Sequence, residues 1–127
     1  MSSMRTTLGR VRHLGSAKEG THHWWAQRVT ALALVPLTLW FVIQVIRFAG
    51  ADHAAATAWI GTPYNSVMMV LLIVAVFHHM QLGLQVVIED YIHGEICKLA
   101  AILVVKGGSL VLAIYAIISV IRIALGG

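Results

Sequence analysis

Three long apolar stretches, separated by short polar segments, dominate the hydrophobic pattern of the chain. Each is long enough to cross the roughly 30 Å hydrocarbon core of a bilayer as an α-helix, which takes about 20 residues. The pattern therefore predicts an all-α integral membrane protein with three transmembrane helices in one domain, residues 1–127. We expect a tail at 1–27, span 1 at 28–48, a link at 49–65, span 2 at 66–91, a link at 92–98 and span 3 at 99–125.

The first link carries local signals of its own. Its run of alanines predicts a short interfacial helix. The sequence that follows, Thr62-Pro63-Tyr64-Asn65-Ser66, has the residue types of a turn. Because Asn and Ser are favoured at helix N-caps, we expect Asn65 or Ser66 to cap span 2.

Span 2 changes character halfway along its length. It is apolar through Phe77, whereas its second half carries groups that a lipid-facing helix does not use: His78, His79, Gln81, Gly83, Gln85, Glu89, Asp90 and Tyr91. Ionisable residues inside a membrane are costly and usually functional. This half of span 2 is therefore predicted to face protein, a cofactor or water.

Composition excludes two broad classes of protein. Apolar residues make up 59% of the 127 residues and charged residues only 11%, with a mean hydropathy of +0.84. A soluble domain is about a quarter charged, and a disordered chain combines low hydrophobicity with high charge. Cys97 is the single cysteine, so an intrachain disulfide is impossible and the redox compartment stays open.

The cations are distributed unevenly along the chain. Seven lie in the tail, in the second link or close to their edges: Arg5, Arg10, Arg12, Lys18, Arg28, Lys98 and Lys106. Only Arg47 and Arg122 lie on the other side. Because cytoplasmic loops collect Lys and Arg, this predicts a cytoplasmic N-terminus and a periplasmic C-terminus. Membrane orientation thus explains the basic excess, and we expect no nucleic-acid partner. The tail lacks the residue order of a signal peptide and is expected to remain on the mature protein.

The spacing of His79 and Gly83 points to a particular chemistry. On a helix, Gly83 lies one turn after His79 on the same face. Histidine is a standard axial ligand of haem iron, and a glycine one turn away leaves room for a flat macrocycle. Asp90 follows eleven residues after His79, about 20° away around the helix and roughly 16 Å along it. The spacing alone also fits a hydrogen bond from His79 to a neighbouring helix.

Residues 79–91 resemble the second transmembrane helix of the smaller membrane-anchor subunit of succinate dehydrogenase. That family has a haem-ligating His, a Gly four residues later, and Asp-Tyr eleven and twelve residues later, and this chain matches at all four positions. His22 followed by Arg28-Val-Thr30-Ala31 resembles the His-x5-Arg-x-Thr-Ala sequence at the start of the family's first span. The resemblance covers roughly residues 20–125. His78 beside His79 departs from the family's single histidine, but the Gly83 and Asp90-Tyr91 spacings both select His79.

The resemblance implies a complex of four different subunits in a membrane. The partners of this chain would be a flavoprotein subunit that oxidises succinate, an iron–sulfur subunit that relays electrons, and a second membrane-anchor (cytochrome b) subunit. FAD and the iron–sulfur clusters would be confined to the partner subunits, since this chain has one cysteine and no nucleotide motif. The chain would dock the succinate-oxidising part to a bacterial inner (cytoplasmic) membrane, among its lipids, for electron transfer to ubiquinone.

The resemblance also implies a role for each matching residue. His79 would be one axial ligand of a haem b, and the partner anchor subunit would supply the other. Gly83 would pack against the ring, and Arg28 and His22 would approach its propionates. Tyr91 would donate a hydrogen bond to a ubiquinone carbonyl, and Asp90 would hold nearby residues around that site.

Three alternatives stay open from the residues themselves. An anchor of a quinol:fumarate reductase would bind quinone with the same residues. A small membrane transporter or proton-relay protein without haem would use His78, His79 and Glu89. A purely structural anchor would hold no cofactor, with Tyr91 an interfacial belt residue and Arg28 a snorkelling cation.

Overall fold

The computed structural model describes Thr7 and residues 18–126, and in the latter range it consists of helices and short connections. The helices are α1 (Lys18–Arg47), α2 (His53–Gly61), α3 (Pro63–Tyr91) and α4 (Glu95–Ala124). Most of the predicted tail, including Arg5, Arg10 and Arg12, lies outside the described residues.

Three of the helices are long and apolar enough to cross a membrane. These segments are Gly20–Arg47, Pro63–Tyr91 and Glu95–Ala124, with 28, 29 and 30 residues. At 1.5 Å per residue, α4 is roughly 45 Å long, which exceeds the roughly 30 Å of the hydrocarbon core. The predicted all-α membrane fold with three spans is confirmed, and the spans continue as helix beyond their most apolar parts.

The first link folds into the short helix α2, as its alanine run predicts. The side chain of Asp52 caps it by accepting a hydrogen bond from the Ala55 N–H at 2.8 Å. The helix is held to the end of α1 by aromatic packing. The Trp59 ring stacks on that of Trp40, with centroids 5.7 Å apart, and lies 5.4 Å from that of Phe48.

The start of α3 differs from the expectation that Asn65 or Ser66 caps it. The helix already begins at Pro63, and Thr62 occupies the N-cap position. Proline is favoured in the first turn because its φ is preset and its missing N–H would have no helical partner there. Asn65 lies inside the helix instead, where its Nδ2 donates to the Trp59 carbonyl at 2.9 Å and ties α3 to α2.

Helix α3 lies between α1 and α4, and these two outer helices do not pack against each other in the described part of the chain. The buried side chains among the described residues lie on α3 and α4: Leu72, Ala75, Leu82, Ser109 and Val120. Small residues such as Ala75 and Ser109 let membrane helices approach closely. Most of the apolar surface of the described spans is therefore left exposed by the packing of this chain.

Candidate functional site

His79 connects the central helix to α1 through a side-chain contact. Its Nδ1 atom lies 3.0 Å from the Oγ1 atom of Thr30, and both residues are partly buried. The same Thr30 Oγ1 atom lies 2.7 Å from the carbonyl oxygen of Ala26 and 3.0 Å from that of Gln27, one turn earlier on α1. The hydroxyl group therefore bridges the backbone of one span and the imidazole of the next.

The two adjacent histidines face different grooves. His79 lines a groove of about 450 Å³ whose other walls come from α1, namely Ala31, Leu34, Val35, Thr38 and Leu39. His78 lines a separate, apolar groove of about 410 Å³ with residues that include Pro36 and Val74. This separation follows from helix geometry, because neighbouring residues point about 100° apart. A single flat ligand on this helix therefore meets one histidine and not both.

Gly83 faces open space. A Cβ atom added there would meet no heavy atom of the other described residues within 4 Å, apart from the helix's own neighbouring backbone. Its φ is not positive, so the backbone conformation does not require glycine either. Neither the packing of the described residues nor the backbone conformation explains the glycine, which leaves room for a further group one turn from His79.

The arrangement around His79 fits a haem shared between subunits. The imidazole lines an open groove, its Nδ1 is already engaged, and the glycine one turn away leaves open space. Among the described residues, no three His, Cys, Asp or Glu side chains come together to hold a metal ion. An axial ligation scheme needs only one nitrogen from this chain and a second from elsewhere.

Arg28 and His22 are both exposed on α1. The guanidinium carbon of Arg28 lies 5.4 Å from the ring centroid of Trp24, in a cation–π contact worth about 0.5–1 kcal/mol at an exposed site. Within the described part of the chain, the structure brings neither residue into contact with His79. So weak a contact leaves the Arg28 head group able to turn towards an anionic ligand.

The last turn of α3 presents polar side chains outwards. Tyr91 is 78% exposed, and its backbone carbonyl accepts a hydrogen bond from Nδ1 of His93 at 3.1 Å. Glu89 is engaged within the helix, because its Oε1 accepts from Nε2 of Gln85 at 2.8 Å. Asp90 is exposed and has no partner among the described residues. The phenol of Tyr91 and the carboxylate of Asp90 are thus available to groups outside this chain.

His79 and Tyr91 do not form one compact site. They lie twelve residues apart on the continuous helix α3, which corresponds to roughly 18 Å along the helix axis. The chain therefore offers two separate one-sided surfaces, one at His79 in the middle of the span and one at the end of the helix. Each needs further groups from outside the chain to enclose a ligand.

The contact of Thr30 with His79 is not predicted by the sequence. In the sequence, Thr30 is part of the Arg28-Val-Thr30-Ala31 match and has no role of its own. The sequence does show that Thr30, a hydroxyl residue, lies near the N-terminal end of span 1, whereas His79 lies in the second half of span 2. Antiparallel packing brings those two parts together, but the alignment to a single residue depends on the tertiary contact.

Comparison with known proteins places these features in a family context. A family model described as "Succinate dehydrogenase/Fumarate reductase transmembrane subunit" matches residues 2–121. The succinate dehydrogenase hydrophobic membrane anchor subunit of Rickettsia bellii (strain RML369-C) is 32% identical over 116 residues, which cover 91% of this chain and 93% of that protein. The protein of the same name from Paracoccus denitrificans is 37% identical over 113 residues, 89% of this chain and 87% of that protein. The succinate dehydrogenase membrane anchor subunit of Reclinomonas americana is 28% identical over 100 residues, 76% of this chain and 83% of that protein.

Proposed function

The chain belongs to the family of succinate dehydrogenase hydrophobic membrane anchor subunits, and we propose on this premise that it anchors a succinate:quinone oxidoreductase to a membrane. It is not catalytic alone and works with a flavoprotein subunit, an iron–sulfur subunit and a second, cytochrome b anchor subunit. The single observation that carries this proposal is the sequence match along nearly the whole chain. The outward-facing apolar surface of the three spans supports it, since a partner anchor and lipids would cover that surface.

We further propose that His79 is one axial ligand of a haem b, with the other ligand from the partner anchor subunit. The open groove beside His79 and the unobstructed surface at Gly83 support this assignment. A haem b held there would supply one-electron redox chemistry. The role of this chain is to hold the haem ring in position and to exclude water from it.

Arg28 and His22 are proposed to lie near the haem propionates. A propionate is a carboxylate, and a guanidinium pairs with it through charge-assisted hydrogen bonds. The contact of Arg28 with Trp24 is weak enough to be exchanged for such a pair. His22 occupies the same end of α1 and adds a second donor.

Quinone binding is proposed at Tyr91, with Asp90 as a supporting residue. A phenol is a neutral hydrogen-bond donor that can polarise a quinone carbonyl. Asp90 lies in the last turn of a helix, where the helix dipole disfavours a negative charge. An arginine of the partner anchor subunit would compensate for the negative charge of Asp90 and would organise the site around Tyr91.

We place the protein in a bacterial inner (cytoplasmic) membrane, with its N-terminus in the cytoplasm. The excess of Lys and Arg on the tail and second link supports that orientation. It puts Tyr91 and Asp90 at the cytoplasmic interface, where an iron–sulfur subunit can deliver electrons.

The proposal is tested by purifying the complex through a tag on this chain. We expect the flavoprotein, iron–sulfur and second anchor subunits to co-purify, with succinate-dependent reduction of a short-chain ubiquinone and a b-type reduced-minus-oxidised spectrum. Faster fumarate reduction by quinol than succinate oxidation would favour a quinol:fumarate reductase. A well-folded chain that purifies without partner subunits or haem would contradict the proposal and favour a transporter or proton relay.

Filling the space at Gly83 should prevent haem binding without unfolding the chain. In Gly83→Leu, we expect the complex to lose most of its haem, because the side chain occupies the surface on which the ring would lie. The helix itself gains about 0.8 kcal/mol in propensity from the loss of glycine. The measurement is haem content per flavin in the purified complex.

Gly107→Leu is the matched control for that change. Gly107 lies in α4, and a Cβ atom there also meets no heavy atom of the other described residues within 4 Å, apart from the helix's own neighbouring backbone. We expect this variant to keep its haem. Equal haem content in Gly83→Leu and the wild type would contradict the placement of the ring against Gly83.

A further inference from the structure

We infer that Thr30 is the positioning residue of His79: its hydroxyl accepts a hydrogen bond from Nδ1–H, which fixes the orientation of the ring and leaves Nε2 as the coordinating nitrogen. The inference rests on the proposed role of His79 as a haem ligand. It adds the atom that coordinates and the residue on α1 that selects it.

The direction of the hydrogen bond follows from the number of protons available. The Thr30 hydroxyl carries one proton and has three neighbours within 3.0 Å, namely Nδ1 of His79 and the carbonyl oxygens of Ala26 and Gln27. Carbonyl oxygens can only accept hydrogen bonds, and threonine hydroxyls in helices commonly donate one to the carbonyl four residues earlier. With its proton directed to the carbonyls, the hydroxyl oxygen can only accept from His79. Nδ1 therefore carries the ring proton, and Nε2 has the free lone pair.

Threonine suits this task because its side chain is held firmly. A β-branched residue in a helix has few χ1 rotamers, and the bond from Oγ1 to a carbonyl one turn earlier selects among them. The acceptor oxygen is thereby fixed on α1, and the imidazole of α3 is oriented against it. A hydrogen-bonded second ring nitrogen is the usual way in which proteins set the tautomer of a ligating histidine and raise its basicity.

The contact also separates His79 from its neighbour. Thr30 borders the groove of His78 as well, but its hydroxyl contacts His79. Within residues 18–126, His78 has no hydrogen-bond partner. Of the two histidines, only His79 is therefore presented with a defined tautomer.

The test uses the complete complex with Thr30→Val, which keeps the side-chain shape but removes the hydroxyl. We expect the haem to be held about 10- to 100-fold more weakly, the typical cost of losing the hydrogen-bond partner of a metal ligand. We also expect a higher haem midpoint potential, since a less basic imidazole stabilises the oxidised iron less. The readouts are haem loss to apomyoglobin, the potential from a redox titration, and the electron paramagnetic resonance spectrum of the oxidised haem.

Two further variants make the result specific. Thr30→Ser restores a hydroxyl and should return the potential and the resonance spectrum towards those of the wild type. Thr57→Val is the matched control, because the Thr57 hydroxyl on α2 also donates to the carbonyl oxygens three and four residues earlier, those of Ala54 and His53, but bonds to no imidazole. We expect Thr57→Val to behave as the wild type.

Failure of this inference can be told from failure of the proposed function. Haem retention, potential and resonance spectrum in Thr30→Val that equal those of the wild type would overturn the role of Thr30 and leave the haem proposal intact. Failure of Thr30→Ser to restore the spectrum would likewise overturn the role of Thr30 and leave the haem proposal intact. If Thr30→Val does not assemble, Thr30→Ala removes the same oxygen and is measured in its place. Absence of haem from the wild-type complex would overturn the proposed function and this inference together.

Discussion

Replacement of His79 with alanine is expected to abolish the b-type absorption signal of the complex while the subunits stay together. A methyl side chain provides no nitrogen for the iron, and a six-coordinate haem cannot form without that ligand. The loss should be near complete, since the neighbouring imidazole of His78 lines a different groove and is not positioned to replace that of His79. The measurement is a reduced-minus-oxidised spectrum normalised to flavin.

His78→Ala is the matched control for this experiment, because it removes the same side chain one position earlier on the same helix. His78 lines a different groove, so we expect its removal to leave the haem signal in place. Loss of the signal in His78→Ala and not in His79→Ala would move the site by one residue. An unchanged spectrum in His79→Ala would contradict haem ligation by His79.

The transmembrane architecture could be predicted from the sequence because bilayer thickness and helix rise fix the length of a span. The apolar stretches of the chain meet that length, and the alanine run gives α2 in the same direct way. The start of α3 was predicted wrongly, since two favourable signals compete there. Pro63 begins the helix before Asn65 and Ser66 are reached, and its preset φ decides the outcome.

The candidate site could likewise be predicted only where its features lie on a single helix. Spacing on one helix was enough to place Gly83 near His79 and to point His78 elsewhere, because both follow from 100° per residue. The contact of His79 with Thr30 involves two helices, and its register depends on how their side chains interlock. The partners of Asp90 and Tyr91 could not be predicted from this sequence, because the described residues of the chain supply no partner to the Asp90 carboxylate.

Tyr91→Phe is expected to slow quinone reduction by about 10- to 100-fold while it leaves haem binding intact. The change removes only the phenolic oxygen from a side chain that is 78% exposed, so the fold loses almost nothing. As electrons reach the quinone, negative charge grows on its carbonyl oxygen, and a hydrogen bond to a charged group contributes about 1.5–3 kcal/mol. At roughly 1.4 kcal/mol per factor of ten, loss of that bond gives the stated decrease. The measurement is succinate-dependent reduction of a short-chain ubiquinone at saturating succinate.

The distinction between a quinone defect and a general defect comes from two comparisons. Succinate oxidation with a dye that takes electrons from the iron–sulfur subunit should be unchanged in Tyr91→Phe, because that route does not use the phenol. Tyr115→Phe provides the matched control, since Tyr115 is 75% exposed but lies on α4, away from the end of α3. We expect that variant to reduce quinone at the wild-type rate. Quinone reduction by Tyr91→Phe at the rate of Tyr115→Phe would show that the Tyr91 hydroxyl does not bind the quinone, and Tyr91 would then serve as an interfacial belt residue.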